Sequence, residues 1–288
     1  MLRRTLLLLL AVSPAPAWAA WPEDVDLYSM LDHDGLPVLD REVLGTSYRQ
    51  LVLELGTMVS NKPVTPAETL GISGLDVDLS TQFILTEAID RLGQPSPWSR
   101  AHRDELSAPY HVLPTLSVRK GLPLSTEVGA HMGWIGGSSS GLVGGWARVA
   151  VIEGYKPIPD VSLKLGYSGY VGNEQLDVGV LDLGVTVGTT WGLGRSPEVN
   201  TGQFSPWLNF TTLRISANAT LDERTENDIG ALRYARSAPQ DTDVAPPIAL
   251  PQFGGGMQFT SGGIHLRIAG SWAPATVPTV TTGFGFTL

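Results

Sequence analysis

The chain has 288 residues, with 33 Gly, 21 Pro, no Cys, 42% hydrophobic and only 16% charged residues, and a formal net charge of −9. Soluble proteins carry about 25% charged residues, so this one is under-charged, yet its mean hydropathy of +0.07 and its lack of a long apolar run exclude a helical membrane protein. Without Cys there is no disulfide framework, thiolate metal site or Cys nucleophile, and the acidic balance opposes nucleic-acid binding.

Residues 1–19 read as a secretory signal. Arg3 and Arg4 precede the apolar stretch Leu6 to Val12, and Ala17-Trp18-Ala19 supplies a small-x-small cleavage pattern. The stretch is too short to span a bilayer. Its removal takes away Arg3 and Arg4, leaving 17 bases against 28 acids, a net charge of −11.

Residues 20–68 form a distinct N-terminal segment, expected to lie in the periplasm or to act as a plug. Asp24, Asp26, Asp32, Asp34 and Asp40 make its first part acidic. Asp32-His33-Asp34 contains metal-ligand types, but three in a row do not readily converge on one ion and a solvated turn is the better reading. After Asp40, a cap, Leu44, Tyr48, Leu51, Val52, Leu55 and Met58 recur at helical spacing. Leu51, Leu53 and Leu55 also alternate, which leaves a strand as the competing reading. Pro63 and Pro66 end the segment.

From residue 69 onward the period becomes two, over ten stretches. Leu75, Val77, Leu79, Thr81 and Phe83 oppose Asp76, Asp78 and Ser80, and similar alternation starts at Tyr110, Leu124, Val143, Val161, Leu176, about residue 204, Phe253, Ile264 and Val280. In the sixth stretch Leu176, Val178 and Val180 hand over to Leu183, Val185 and Val187, a phase slip that predicts a β-bulge near Leu181. The seventh is the least regular, with Asn209 on the side of Leu213 and Ile215. In the nine regular stretches no charge lies on the apolar face. A soluble sandwich would expose ordinary Lys and Glu on its polar face, whereas here Gly, Ser and Thr dominate that face. Stretches of 10 to 14 residues suit tilted strands that cross a hydrocarbon layer, which need about 9–11. Tyr110, Trp134, Tyr167, Trp272 and Phe286 fall near strand ends, as an aromatic girdle requires.

These features predict an all-β fold, an antiparallel transmembrane β-barrel of about ten strands over residues 69–288, with eight or twelve as alternatives. Short turns are expected at 119–123, 153–159, 189–203 and 260–263. Longer loops are expected at 85–108, 135–141, 172–174, 218–249 and 274–277. The 189–203 connection is long for its side. Loop 218–249 carries clustered acids that could hold a divalent cation, although a solvated loop is the simpler reading.

The chain at this point resembles bacterial outer-membrane β-barrel proteins, small and porin-like, over residues 70–288 and the signal. Its end, Val280-x-Thr282-x-Phe284-x-Phe286-x-Leu288, has the parity of the C-terminal strand that barrel-assembly machinery recognises, although Leu288 rather than an aromatic closes it. The resemblance implies a monomer in the bacterial outer membrane, exported by a Sec-type signal, with outer-membrane lipid, lipopolysaccharide and the assembly machinery as partners. No cofactor or metal is expected. The lumen should receive Asp76, Asp78, Glu127, Asp177 and Asp182 together with Arg148, Lys164, Arg214 and Arg267, and His111, His131 and His265. Charges that pair across a narrow lumen fill it. The expected function is a narrow pore for small solutes, with a closed structural or adhesion barrel as the alternative. A rim-sited acyltransferase or protease, with His131 near Ser138 to Ser140 or His102 near Asp104 and Glu105, is weighed, but no spacing forces those groups together and no enzyme is expected.

Overall fold

A computed structural model describes residues 21–31, 41–62, 64–86, 96–102, 110–155, 158–194, 202–219, 247–274 and 276–288. The signal (1–19), Asp32-His33-Asp34, the Asp40 cap, Asp104, Glu105 and most of loop 218–249 lie outside these residues.

The described residues form eleven strands: β1 Leu75–Leu85, β2 Tyr110–Leu122, β3 Thr126–Trp134, β4 Gly141–Ile152, β5 Asp160–Val171, β6 Leu176–Gly188, β7 Trp191–Leu193, β8 Gly202–Ala219, β9 Ile248–Ser261, β10 Ile264–Trp272 and β11 Thr279–Thr287. Every neighbouring pair is antiparallel, β1 pairs with β11, and β6 pairs with β8 along Leu176 to Gly188. The ladder thus closes through ten strands. The remaining strand, β7, pairs only with Gly202 to Phe204 of β8 and runs in the direction of β6, so part of the long 189–203 connection extends the β6–β8 hairpin. At the seam between first and last strands the terminal residue joins the ladder, with Leu288 and Leu75 exchanging both backbone hydrogen bonds.

Two helices precede the sheet, α1 Leu27–Leu31 and α2 Arg41–Val59, and a third, α3 Pro97–Arg100, sits between β1 and β2. The spacing of Tyr48, Leu51, Val52, Leu55 and Met58 does produce a helix, and all five are buried. Burial extends beyond that face: every residue from Leu51 to Lys62 is buried, Glu54 included. A helix lying on a surface keeps one side wet; from Leu51 onward α2 is enclosed. It packs on β5, β6 and β8, so the N-terminal segment runs inside the barrel.

Two details of the strands depart from the pattern in the sequence. Leu124 and Ser125 have φ of 62° and 50° and form the β2–β3 turn, so β3 begins at Thr126 and Leu124 is 90% exposed. The expected bulge near Leu181 is absent, since β6 pairs without a register shift on both sides.

Candidate functional site: the filled lumen and its two mouths

Strand alternation sends successive side chains to opposite faces, and that parity assigns each residue to the lumen or the outer wall. The outer wall is apolar. Leu79, Leu116, Met132, Leu165, Leu183, Leu208, Met257, Leu266 and Phe284 are all exposed there. Aromatic side chains border it: Tyr110, Trp134, Tyr167 and Trp272 are half or more exposed, and Phe210, Phe253 and Trp272 lie in a row with centroids 5.3 and 6.3 Å apart. Asp76, Asp78, Glu127, Arg148, Lys164, Asp182, His265 and Arg267, by contrast, are all buried on the inner face. A soluble protein reverses that arrangement. Only hydrocarbon gives an uncharged wall a favourable surrounding on the outside of a closed sheet.

The chain has the fold of a transmembrane β-barrel.

No protein-family model matches the sequence, and no curated protein matches it. Among solved structures the chain is similar to the KdgM porin (6% identity, TM-score 0.33, covering 73% of this chain and 98% of that one). It is also similar to the outer membrane protein Omp33 of Acinetobacter baumannii (8%, 0.27, 76% and 100%) and to the transport unit of the autotransporter AIDA-I from Escherichia coli (6%, 0.37, 83% and 97%).

The ten barrel strands leave two unlike ends. At one, the connections 123–125, 153–159 and 262–263 are short; at the other, 86–109 and 220–247 are the longest in the chain. The lumen differs correspondingly along its length.

Near the short-turn end the wall is ionic. Asp76 and Asp78 share the inner face of β1, and Arg119 lies directly across the ladder from Asp76. Asp76 Oδ2 accepts from Arg119 Nε at 2.5 Å and from Arg267 Nη2 at 2.8 Å, while Arg267 Nη1 reaches Asp78 Oδ2 at 3.0 Å. Arg267 Nε donates to Gln258 Oε1 at 2.7 Å. His265 Nε2 stands 3.4 Å from both Asp76 Oδ1 and Asp78 Oδ2. Around the wall, Glu127 and Arg148 are cross-strand partners joined at 2.7 Å, and Lys164 meets Asp182 at 3.0 Å. His131 Nε2 lies 3.2 Å from Ser168 Oγ. Glycines on this face make room for large neighbours: a Cβ at Gly166 would stand 2.6 Å from the Asp182 carboxylate, and one at Gly129 2.5 Å from the Trp146 ring.

The chain leaving α2 threads this ionic layer. Lys164 Nζ donates to Asn61 O at 2.9 Å, Arg148 donates to Thr65 Oγ1 at 3.0 Å, to Pro66 O and to Glu68 O at 3.0 Å, and Leu70 N donates to Glu127 Oε2 at 3.3 Å. At the rim Glu153 Oε1 accepts from Thr69 N and Oγ1 at 2.5 and 2.7 Å. Burial pushes the Glu153 carboxyl up, but the hydrogen bonds from Ser125 and Thr69 and the nearby Arg148 outweigh it and hold the group below the usual carboxylate range. Lys62 Nζ donates to Thr57 O and, at 3.1 Å, to Ser60 Oγ. A cavity of about 40 Å³ between Lys62, Arg119, His131, Arg148 and Lys164 has room for a few waters.

Toward the long-loop end the lumen is apolar. Ile84, Leu113, Leu142, Tyr170, Leu176, Val178, Val180, Leu213, Ile215 and Leu250 point inward and form one cluster with Leu51, Val52, Leu55, Met58 and Trp98. A Cβ on Gly56 would stand 2.6 Å from the Ile215 side chain, so α2 and β8 touch where the helix has no side chain.

This apolar layer accounts for the corrections to the expected lumen. Leu176, Val178 and Val180 face the helix, so the change of phase in β6 marks a change of inner neighbour rather than a bulge. The face opposite them, carrying Asp177, is the outer wall, and Asp177 is exposed. In β8, Asn209, Leu213 and Ile215 all point inward, which sends Arg214 outward, also exposed. Both lie beyond the aromatic row toward the long loops. Arg119, expected in a turn, extends β2 and joins the ionic layer; its alternation with Ser117 was the available signal. Lys62 carried none, because nothing in its neighbourhood shows that residues 60–70 enter a lumen.

Residues 21–31 cover the mouth at the long-loop end. Glu23 N donates to Gly137 O at 3.1 Å and Asp26 N to Ala101 O at 2.7 Å. Asp24 Oδ1 accepts from Ser138 Oγ at 2.6 Å and Ser139 N at 2.7 Å. Asn173 Nδ2 donates to Val25 O at 2.8 Å, and Leu27 N to Gln175 Oε1 at 2.6 Å. Glu23 Oε2 lies 3.5 Å from His102 Nε2 and 3.7 Å from His111 Nδ1, with the Trp98 ring edge-on to His111 at 4.7 Å. Ser138 and Ser139 thus hold this strap, and His131 lies with Ser168 in the lumen, so the two halves of that weighed catalytic pair have other partners.

Proposed function

We propose that this protein is an outer-membrane β-barrel kept closed by its own N-terminal segment and acting through its outer face. The long-loop end faces the outside of the cell, in keeping with an export signal at residues 1–19 and with short turns on the periplasmic side. The observation that carries this reading is the burial of every residue from Leu51 to Lys62, which meet apolar wall at one level and ionic wall at the next. A passage for solutes needs a continuous aqueous path, whereas the cavity of about 40 Å³ beside Lys62 and Lys164 holds only a few waters.

A second reading, a gated pore, rests on the ionic layer. If α2 withdrew, the wall around Asp76, Arg119, Glu127 and Arg267 would line a polar channel. Planar-bilayer recording separates the two. The native chain is expected to give no unitary conductance. Gly56→Leu, which drives a side chain into Ile215, is expected to loosen the plug and produce conductance in a barrel that still migrates as a folded species when unheated. Steady conductance from the native chain would overturn the closed-barrel reading.

A further inference from the structure

We propose that the barrel carries its own N-terminal segment across the membrane, so that the start of the described chain, Trp21, lies on the cell surface while the same chain re-emerges in the periplasm at Thr69. The inference rests on the orientation given above for the long-loop end; which end residue 21 occupies is a separate matter, fixed by contacts.

Those contacts tie the two ends of the segment to opposite mouths. Glu23, Asp24, Val25 and Leu27 bond to Gly137, Ser138, Ser139, Asn173 and Gln175, all in connections at the long-loop end. Thr69 bonds to Glu153 and Leu70 to Glu127, at the short-turn end. Between them α2 has 19 residues, a length of about 28 Å at 1.5 Å per residue, close to the roughly 30 Å of a hydrocarbon core. Unsatisfied backbone groups cannot stand in lipid; α2 pairs its own within the helix, and Thr69 N and Leu70 N donate to the wall at the short-turn end. Trp21 is itself 55% exposed, so the mouth is covered by the strap without burying its first residue.

The direction matters. A plug entering from the periplasm by its tip would place the residue nearest β1 at its own base and its first residue deepest in the lumen. This segment goes further, and its first described residues make their contacts with the long loops outside. The strap that starts at Trp21 is therefore presented to the exterior, held there by its bonds to the long-loop end.

The chain has no Cys, so single cysteines can be read cleanly in the full protein in intact cells. Trp21→Cys is treated with a membrane-impermeant maleimide, beside Glu174→Cys in the β5–β6 connection at the long-loop end and Tyr155→Cys in the β4–β5 turn, both exposed. Trp21→Cys is expected to label in intact cells to the same extent as Glu174→Cys, whereas Tyr155→Cys labels only after the outer membrane is permeabilised. Pro22→Cys, also exposed, repeats the test if Trp21→Cys does not assemble. Labelling of positions 21 and 22 only after permeabilisation, with Glu174→Cys reactive in intact cells, overturns the proposal. If Tyr155→Cys labels in intact cells and Glu174→Cys does not, the orientation itself fails, and the proposal falls with it.

Discussion

Across the ladder from Asp76 stands Arg119, and across from Glu127 stands Arg148; opposite charges at facing positions on one side of a sheet are what a two-residue period can place with certainty. Inside a closed wall the value of such a pair shows mostly when it is broken, because the survivor is left charged and unpaired. Arg267 is the sharpest case, since its guanidinium donates to both Asp76 and Asp78. Arg267→Met should cost about 3–5 kcal/mol, measured as a lowered denaturation midpoint in detergent micelles. Arg267→Lys should recover only part, a single ammonium being unable to span both carboxylates. At the rim, Glu153 sets a pH limit on the plug's attachment. Its folded-state pKa lies below the ordinary 4.5, so the unfolded form binds more protons in between, and the stabilisation present above that value is lost as pH falls through the lower folded-state one. Hydrogen exchange at the Thr69 amide, corrected for the intrinsic rate, should show protection that disappears on acidification through that range. In Glu153→Gln the protection should already be weak at neutral pH.

At the level of elements, alternation located each of the ten barrel strands, and the 3.6-residue period located α2; both signals are local, since each depends only on which face of an element is covered. What covers the face is not local. Lipid and a plug helix are equally apolar, so Leu176, Val178 and Val180 looked like a continuation of the lipid-facing row when they contact α2. The same ambiguity misplaced Arg214 and Asp177. A telling residue pair was present in β6, because Asp182 shares parity with Val180 and fixes that face as inner if the strand is regular. Replacement of Val178 by Asp should therefore disturb the plug rather than the lipid contact. The expected outcome is new conductance in a planar bilayer with no loss of membrane partition. Leu183→Asp, on the same strand but on the outer wall, should instead impair insertion. The convergence of Glu23 on His102 and His111, or of Asp24 on Ser138, had no signal in the sequence, since these pairs are joined only once the chain has passed through the lumen.

For the whole molecule, the exposed uncharged belt governs stability in a membrane. Leu266 lies within it at 54% exposure, flanked on the ladder by Phe259 and Phe284. Leu266→Arg should cost about 2–4 kcal/mol near the bilayer midplane, read as a lowered unfolding midpoint in lipid vesicles. Arg214→Leu, beyond the aromatic row, should change little by the same measure. Charge is tolerated by position along the barrel axis, not by its total number.

The seam between β1 and β11 fixes a sequence of events. Leu288, the final residue, exchanges backbone bonds with Leu75, the first residue of the first strand, so the cylinder becomes continuous only when its last turn of chain is in place. Residues 51–62 come earlier in the polypeptide and are all buried within the wall. Once the ring has shut, a segment moored at one opening through Asp24 and at the other through Thr69 has no sideways route in. The filling must therefore already be between the staves when the hoop is tightened, and maturation is a matter of wrapping a wall around a thread.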